Sequence, residues 1–199
     1  MSFAQHSLFP ASLQHLPVLI VPGLRNSDEQ HWQSQWQAQL PTSKRIAVDD
    51  WNTADLDKWK AGIRTELQRQ EQPVVIIAHS FGSLASASIA AETPEKIAAL
   101  FLVAPADPDK FQIAPRLPQS LLKVPTKIIA SSNDPWLSAG KAAFWALQWG
   151  ADFLRLDNVG HINNDSRLGS WPQGIQLFRQ FLRQANVRTS PAKRLYRAA

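Results

Sequence analysis

Residues 74–92 read VVIIAHSFGSLASASIAAE, and this stretch decides the fold. The unbroken aliphatic run from Val74 to Ala78 predicts a strand buried on both faces. Ser80 follows two residues later, and the small-residue pattern after it predicts a helix over 81–92. Strand, tight turn and helix around one serine make an elbow that lifts a hydroxyl above the end of a sheet. Small neighbours let strand and helix approach closely enough to hold such a turn. Ala78 stands where glycine is usual in the five-residue pattern Ala78-His79-Ser80-Phe81-Gly82, and it keeps the small side chain.

Outward from this centre, aliphatic runs alternate with helical patterns, as expected of βαβ units and a parallel sheet. Six strands are predicted, at Val18 to Val21, Arg45 to Val48, Val74 to Ala78, Ala98 to Val103, Lys127 to Ala130 and Phe153 to Leu156. Helices are predicted over about 29–40, 55–70, 81–92, 138–149 and 173–185. The second of these places Leu56, Trp59, Ile63 and Leu67 on one face, with Asp55 or Asp57 at the start, where the helix dipole favours an acid. Residues 104–125 hold five prolines and predict an irregular excursion at the rim of the sheet.

The chain has 199 residues, 44% of them hydrophobic and 19% charged, which fits one globular domain with a sizeable core. No run is long and apolar enough to span a membrane, and the first residues lack the basic and apolar regions of a secretion signal. Zero cysteines exclude a disulfide framework, a thiolate metal site and a cysteine nucleophile, and cytoplasm is the expected location. The formal net charge is +5, but residues 188–199 carry Arg188, Lys193, Arg194 and Arg197 with no acid, leaving +1 for residues 1–187. The expected organisation is therefore one domain over 1–187 and a basic, flexible tail over 188–199. Nucleic acid is not an expected partner, because the charge comes with no recognition motif.

Two further groups arrive in the chain order that a fold built on this elbow demands, serine, then acid, then histidine. Asp134 lies in Ser131-Ser132-Asn133-Asp134-Pro135-Trp136, after the fifth strand, and His161 lies in Asn158-Val159-Gly160-His161, after the sixth. A serine hydroxyl becomes a competent nucleophile when an imidazole takes its proton and a carboxylate orients that imidazole. Ser80, His161 and Asp134 are the expected nucleophile, base and acid. Asp107 and Asp109, after the fourth strand, are rival acids. The expected oxyanion donors are the backbone amides of Phe81 and Leu24, with Gly23 permitting the turn that aims the second.

The arrangement resembles the nucleophile elbow of α/β-hydrolases. The segments VLIVPGL with His31-Trp32 and Trp36, Asp50-Trp51-Asn52, AHSFGSLA, ASSNDPW and VGHINNDSRLGSWPQG resemble the YdeN and retinoblastoma-binding hydrolase family of that superfamily. The resemblance implies a minimal α/β fold, a six-stranded parallel sheet in the order 2-1-3-4-5-6 with helices on both faces and no cap domain. It also implies carboxylesterase activity without a cofactor. Some members of that family are discussed as retinoblastoma-protein binders through Leu-x-Cys-x-Glu, a motif that a chain without cysteine cannot contain.

His79 is expected to be a hydrogen-bonded structural residue pointing away from the serine. His31 could line the pocket or cap a helix, and Trp136 is a candidate pocket residue. Asn163, Asp165, Ser166, Gly169 and Trp171 are expected to hold the His161 loop, and most of the eight tryptophans to fill the core. No metal site is expected. The leading expectation is a serine hydrolase acting on small, short-acyl esters through an acyl-enzyme, in an open, shallow site. The competing one is a non-catalytic protein-binding module that keeps the hydrolase fold.

Overall fold

A computed structural model describes residues 9–187; the expectation of a flexible tail over 188–199 lies outside the described residues. Six parallel strands, β1 (Val18–Val21), β2 (Ser43–Arg45), β3 (Val74–His79), β4 (Ile97–Val103), β5 (Thr126–Ser131) and β6 (Asp152–Leu156), form one sheet in the order β2-β1-β3-β4-β5-β6. The helices are α1 (Trp32–Gln37), α2 (Leu56–Gln68), α3 (Phe81–Glu92), α4 (Ala139–Trp149) and α5 (Pro172–Gln184). Among the described residues no helix is long and apolar enough to cross a membrane.

The core divides along the period-two alternation of β3. Val74, Ile76 and Ala78 pack with Trp59, Ile63, Leu84 and Trp149, beneath α2, α3 and α4. Val75 and Ile77 pack with Trp32, Trp36, Phe178 and Phe181, beneath α1 and α5. α5 buries Ile175, Phe178, Phe181 and Leu182, one apolar stripe at helical spacing. Ten of the twelve α3 residues are buried, so small serine and alanine side chains set how closely it meets the sheet. Asp55 caps α2 by accepting from the amides of Asp57 and Lys58.

Two predicted elements differ from the observed ones. β2 ends at Arg45 instead of spanning Arg45 to Val48, because its pairing with β1 runs only from Val18 opposite Ser43 to Ile20 opposite Arg45. Ile46 and Val48 lie beyond the strand and are buried in the core that contains α2, with the Ile46 amide still donating to Ile20 O at 3.2 Å, so their apolar character reflects burial more than strand pairing. The helix predicted over 29–40 is reduced to six residues, because His31 caps it and the preceding turn is closed by Asp28.

The order β2-β1-β3 reverses the direction of chain progression between β1 and β3, which opens a crevice at the carboxyl ends of these two strands. The loop after β1 and the elbow after β3 flank it.

Candidate active site

Ser80 sits between β3 and α3 with φ 54° and ψ −125°, a strained conformation for a residue with a side chain. Two glycines make room for it. A Cβ at Gly82 would overlap the carbonyl oxygens of Val21 and Pro22, and one at Gly23 would lie 2.6 Å from Ser80 Cβ. Gly23 thus supplies space beside Ser80, and its φ lies outside the left-handed region. The positive φ values fall at Arg25 and Asn26.

The loop after β1 is fixed from three sides. Trp59 Nε1 donates to Pro22 O at 2.8 Å, the Arg25 amide donates to Trp51 O at 2.8 Å, and buried Gln33 accepts from Ser27 Oγ at 2.8 Å while donating to Ile77 O of β3 at 3.1 Å. Phe81 is the first residue of α3, where amides lack intrahelical acceptors. Among the described residues, no protein acceptor takes the Leu24 or the Phe81 amide.

His161 Nε2 lies 2.9 Å from Ser80 Oγ, and its Nδ1 lies 2.9 and 2.8 Å from the two Asp134 oxygens. A carboxylate accepts, so Nδ1 carries the proton and Nε2 is free to accept from the serine hydroxyl. The Asp134 side chain is 2% exposed, and its Oδ1 also accepts the Trp136 amide at 2.9 Å. The structure therefore brings Ser80, His161 and Asp134 together from three strand ends. The rival acids are occupied elsewhere: Lys141 Nζ is 2.8 Å from Asp107 and 2.9 Å from Asp109.

The loop around His161 is cross-braced. Ser166 Oγ donates to Val159 O at 2.6 Å, Asn133 Oδ1 accepts the Gly160 amide at 2.8 Å, and Asn163 and Ser166 form a capping box. Asn164 donates to both Asp28 oxygens, at 2.9 and 2.8 Å, joining this loop to the one after β1. Sequence reasoning missed that pair, because its partners are 136 residues apart and neither belongs to a local pattern.

A cavity of about 310 Å³ opens over Ser80, bounded by Leu24, Ala106, Phe111 and Trp136 among others. Lys110, also in its lining, donates to the carbonyls of Pro135 and Trp136, at 3.3 and 2.9 Å, with its ammonium 5.2 Å from the Trp136 ring centre. Lys110 and Phe111 come from the proline-rich excursion, which marked a rim without revealing which side chains it delivers.

Both roles considered for His31 are occupied. It lines the cavity, and its Nδ1 accepts the Gln33 amide at the start of α1. His79 is hydrogen-bonded as expected, but it does not point away from the chemistry: its ring lies 4.9 Å from the rings of both His31 and His161 and forms part of the cavity wall.

Burial pushes the His31 pKa down to about 4, with Arg45 and His161 adding to the effect and Asp28 opposing it. Because the folded pKa lies below the ordinary 6.5, the unfolded chain binds the proton more readily. The associated stability is intact above pH 6.5 and is lost as pH falls toward 4, by at most about 3 kcal/mol. Urea unfolding at pH 7 and pH 4.5 should show the decline, and His31→Asn, which keeps a capping oxygen, should reduce it. An unchanged pH dependence in the variant would contradict this assignment.

An open parallel sheet with a serine at the elbow after β3, and histidine and aspartate at later strand ends, defines the class of α/β hydrolases. The model for the family described as serine hydrolase matches residues 18–180, and the chain belongs to that family. It is 41% identical to a YdeN-like hydrolase from Pectobacterium atrosepticum, covering 87% of this chain and 94% of that one with a TM-score of 0.83. The ydeN product of B. subtilis is 17% identical over 83% of this chain and 98% of its own, with a TM-score of 0.69. Est1E from Butyrivibrio proteoclasticus is 15% identical over 84% and 88%, with a TM-score of 0.65. No curated protein matches significantly.

Proposed function

We propose that this serine hydrolase is a carboxylesterase acting on small, short-acyl esters through an acyl-enzyme, with Ser80 as nucleophile, His161 as base and Asp134 as orienting acid. The observation that carries the reading is the continuous set of contacts from Ser80 Oγ through His161 to Asp134. Ser80 Oγ bonds to the acyl carbon as its proton passes to His161 Nε2. The carbonyl oxygen takes the negative charge, which the Leu24 and Phe81 amides meet. The intermediate collapses, and the departing alkoxide takes the proton from Nε2. Water then repeats the sequence on the acyl-enzyme, releasing the carboxylic acid and restoring the serine hydroxyl. A small-molecule ester is the proposed partner, and a cytoplasmic location belongs to the same reading.

The preference for short chains rests on the cavity, whose volume of about 310 Å³ is at the small end for ligand sites. Hydrolysis of p-nitrophenyl acetate, butyrate and decanoate tests it. Acetate or butyrate should exceed decanoate in kcat/KM by roughly tenfold or more, the size of effect that a few poorly housed methylenes produce. A faster decanoate would overturn the proposed preference.

A further inference from the structure

β3 ends in His79, an enclosed ring that the proposed chemistry leaves unused. Its Nε2 lies 2.9 Å from the backbone oxygen of His161. A carbonyl can only accept, so Nε2 carries the proton and donates. Burial, reinforced by the neighbouring His161 and His31, holds its pKa well below the ordinary histidine value, so the ring is neutral. One residue further along, the carbonyl of Ile162 accepts Trp32 Nε1–H at 2.8 Å, again inside the core. Two successive carbonyls of the histidine-bearing turn are thus each met by a buried ring donor.

The turn has a physical need for them. Gly160 has φ 58° and Ile162 has φ 50°. A β-branched residue in the left-handed region is strained, and it persists only where its surroundings over-determine it. The Ile162 side chain is fully buried, which fixes one side of the turn, and the ring donors fix its carbonyls. His79 is also the residue that precedes Ser80. A path of one residue and one hydrogen bond therefore links the nucleophile's backbone to the base's backbone.

We propose that His79 and Trp32 are positioning residues, two ring donors that clamp the strained His161–Ile162 turn so that His161 Nε2 stays within reach of Ser80 Oγ. This inference rests on the reading of Ser80 and His161 as nucleophile and base. His79→Leu removes one donor while keeping bulk, His79→Gln keeps an N–H of similar reach, and Trp32→Phe removes the other donor while keeping an aromatic ring.

The rate of Ser80 labelling by a fluorophosphonate and hydrogen exchange across residues 159–166 test the clamp. Labelling should slow roughly 10- to 100-fold in His79→Leu and Trp32→Phe, the scale of a misplaced catalytic group. His79→Gln should return to within about fivefold of wild type, since the donor is kept. Exchange over 159–166 should rise in the two donor-deleting variants and not in Ser80→Ala. Wild-type labelling and exchange in either folded donor-deleting variant would overturn the clamp, as would failure of folded His79→Gln to restore labelling. If His79→Leu does not fold, Trp32→Phe decides by the same criteria. A folded wild type that does not label would overturn the hydrolase reading instead, leaving exchange to judge the clamp.

Discussion

Asp134→Asn is expected to lower kcat on p-nitrophenyl acetate by about a thousand- to ten-thousandfold, the scale seen when an orienting carboxylate becomes an amide. Both Asp134 oxygens face His161 Nδ1, so an amide NH₂ turned toward the ring would favour the tautomer whose Nε2 cannot accept the serine proton. The Trp136 amide can still donate to the remaining carbonyl oxygen, so the loop should stay in place. Asp109→Asn should change kcat by less than about threefold, and Asp107→Asn, which alters a residue of the cavity lining while Asp109 still holds Lys141, by no more than about tenfold. Steady-state kinetics on the three variants checks the order. A loss at Asp107 as large as that at Asp134 would place the acid after β4.

Gly82→Ala should destabilise the fold by about 3 kcal/mol or more and remove most activity in whatever remains folded. The added methyl would meet two backbone carbonyls, those of Val21 and Pro22, and neither can rotate away as a side-chain tip could. Pro22 O is already held by Trp59, so relief would require α3 to back away from β1 and carry the Phe81 amide out of position relative to Leu24. Gly140→Ala supplies the contrast. Nothing lies within 4 Å of its added Cβ, in an exposed first turn of α4, and alanine there should be neutral or stabilising by up to about 1 kcal/mol. Chemical denaturation of both variants measures the difference. Equal stabilities would mean that α3 does not depend on this close approach.

What could be read from the sequence was what local chemistry encodes. The elbow was legible because an all-aliphatic strand, a serine and a small-residue helix occupy consecutive positions. Ser80, Asp134 and His161 could be selected together because each follows a recognisable strand in the required order. β2 was displaced toward its C-terminal side because apolar Ile46 and Val48 are buried beyond the last paired residue, and hydrophobicity reports burial more directly than pairing. The rival acids could not be separated without Lys141, which lies 34 residues from Asp107 and reaches it only in the fold. The same holds for the tie between Asp28 and Asn164 and for the two ring donors behind His161. Each is a contact between distant loops or strand ends, made by residue types that are ordinary in their own neighbourhoods.

The central claim, an activated serine at the elbow, is tested most directly by labelling purified wild type and Ser80→Ala with a fluorophosphonate probe, with folding checked by circular dichroism. The probe reports nucleophilicity without requiring the natural substrate. The account predicts stoichiometric labelling of wild type and none of Ser80→Ala. A folded wild type that fails to label, or a Ser80→Ala protein that labels as well as wild type, would contradict it.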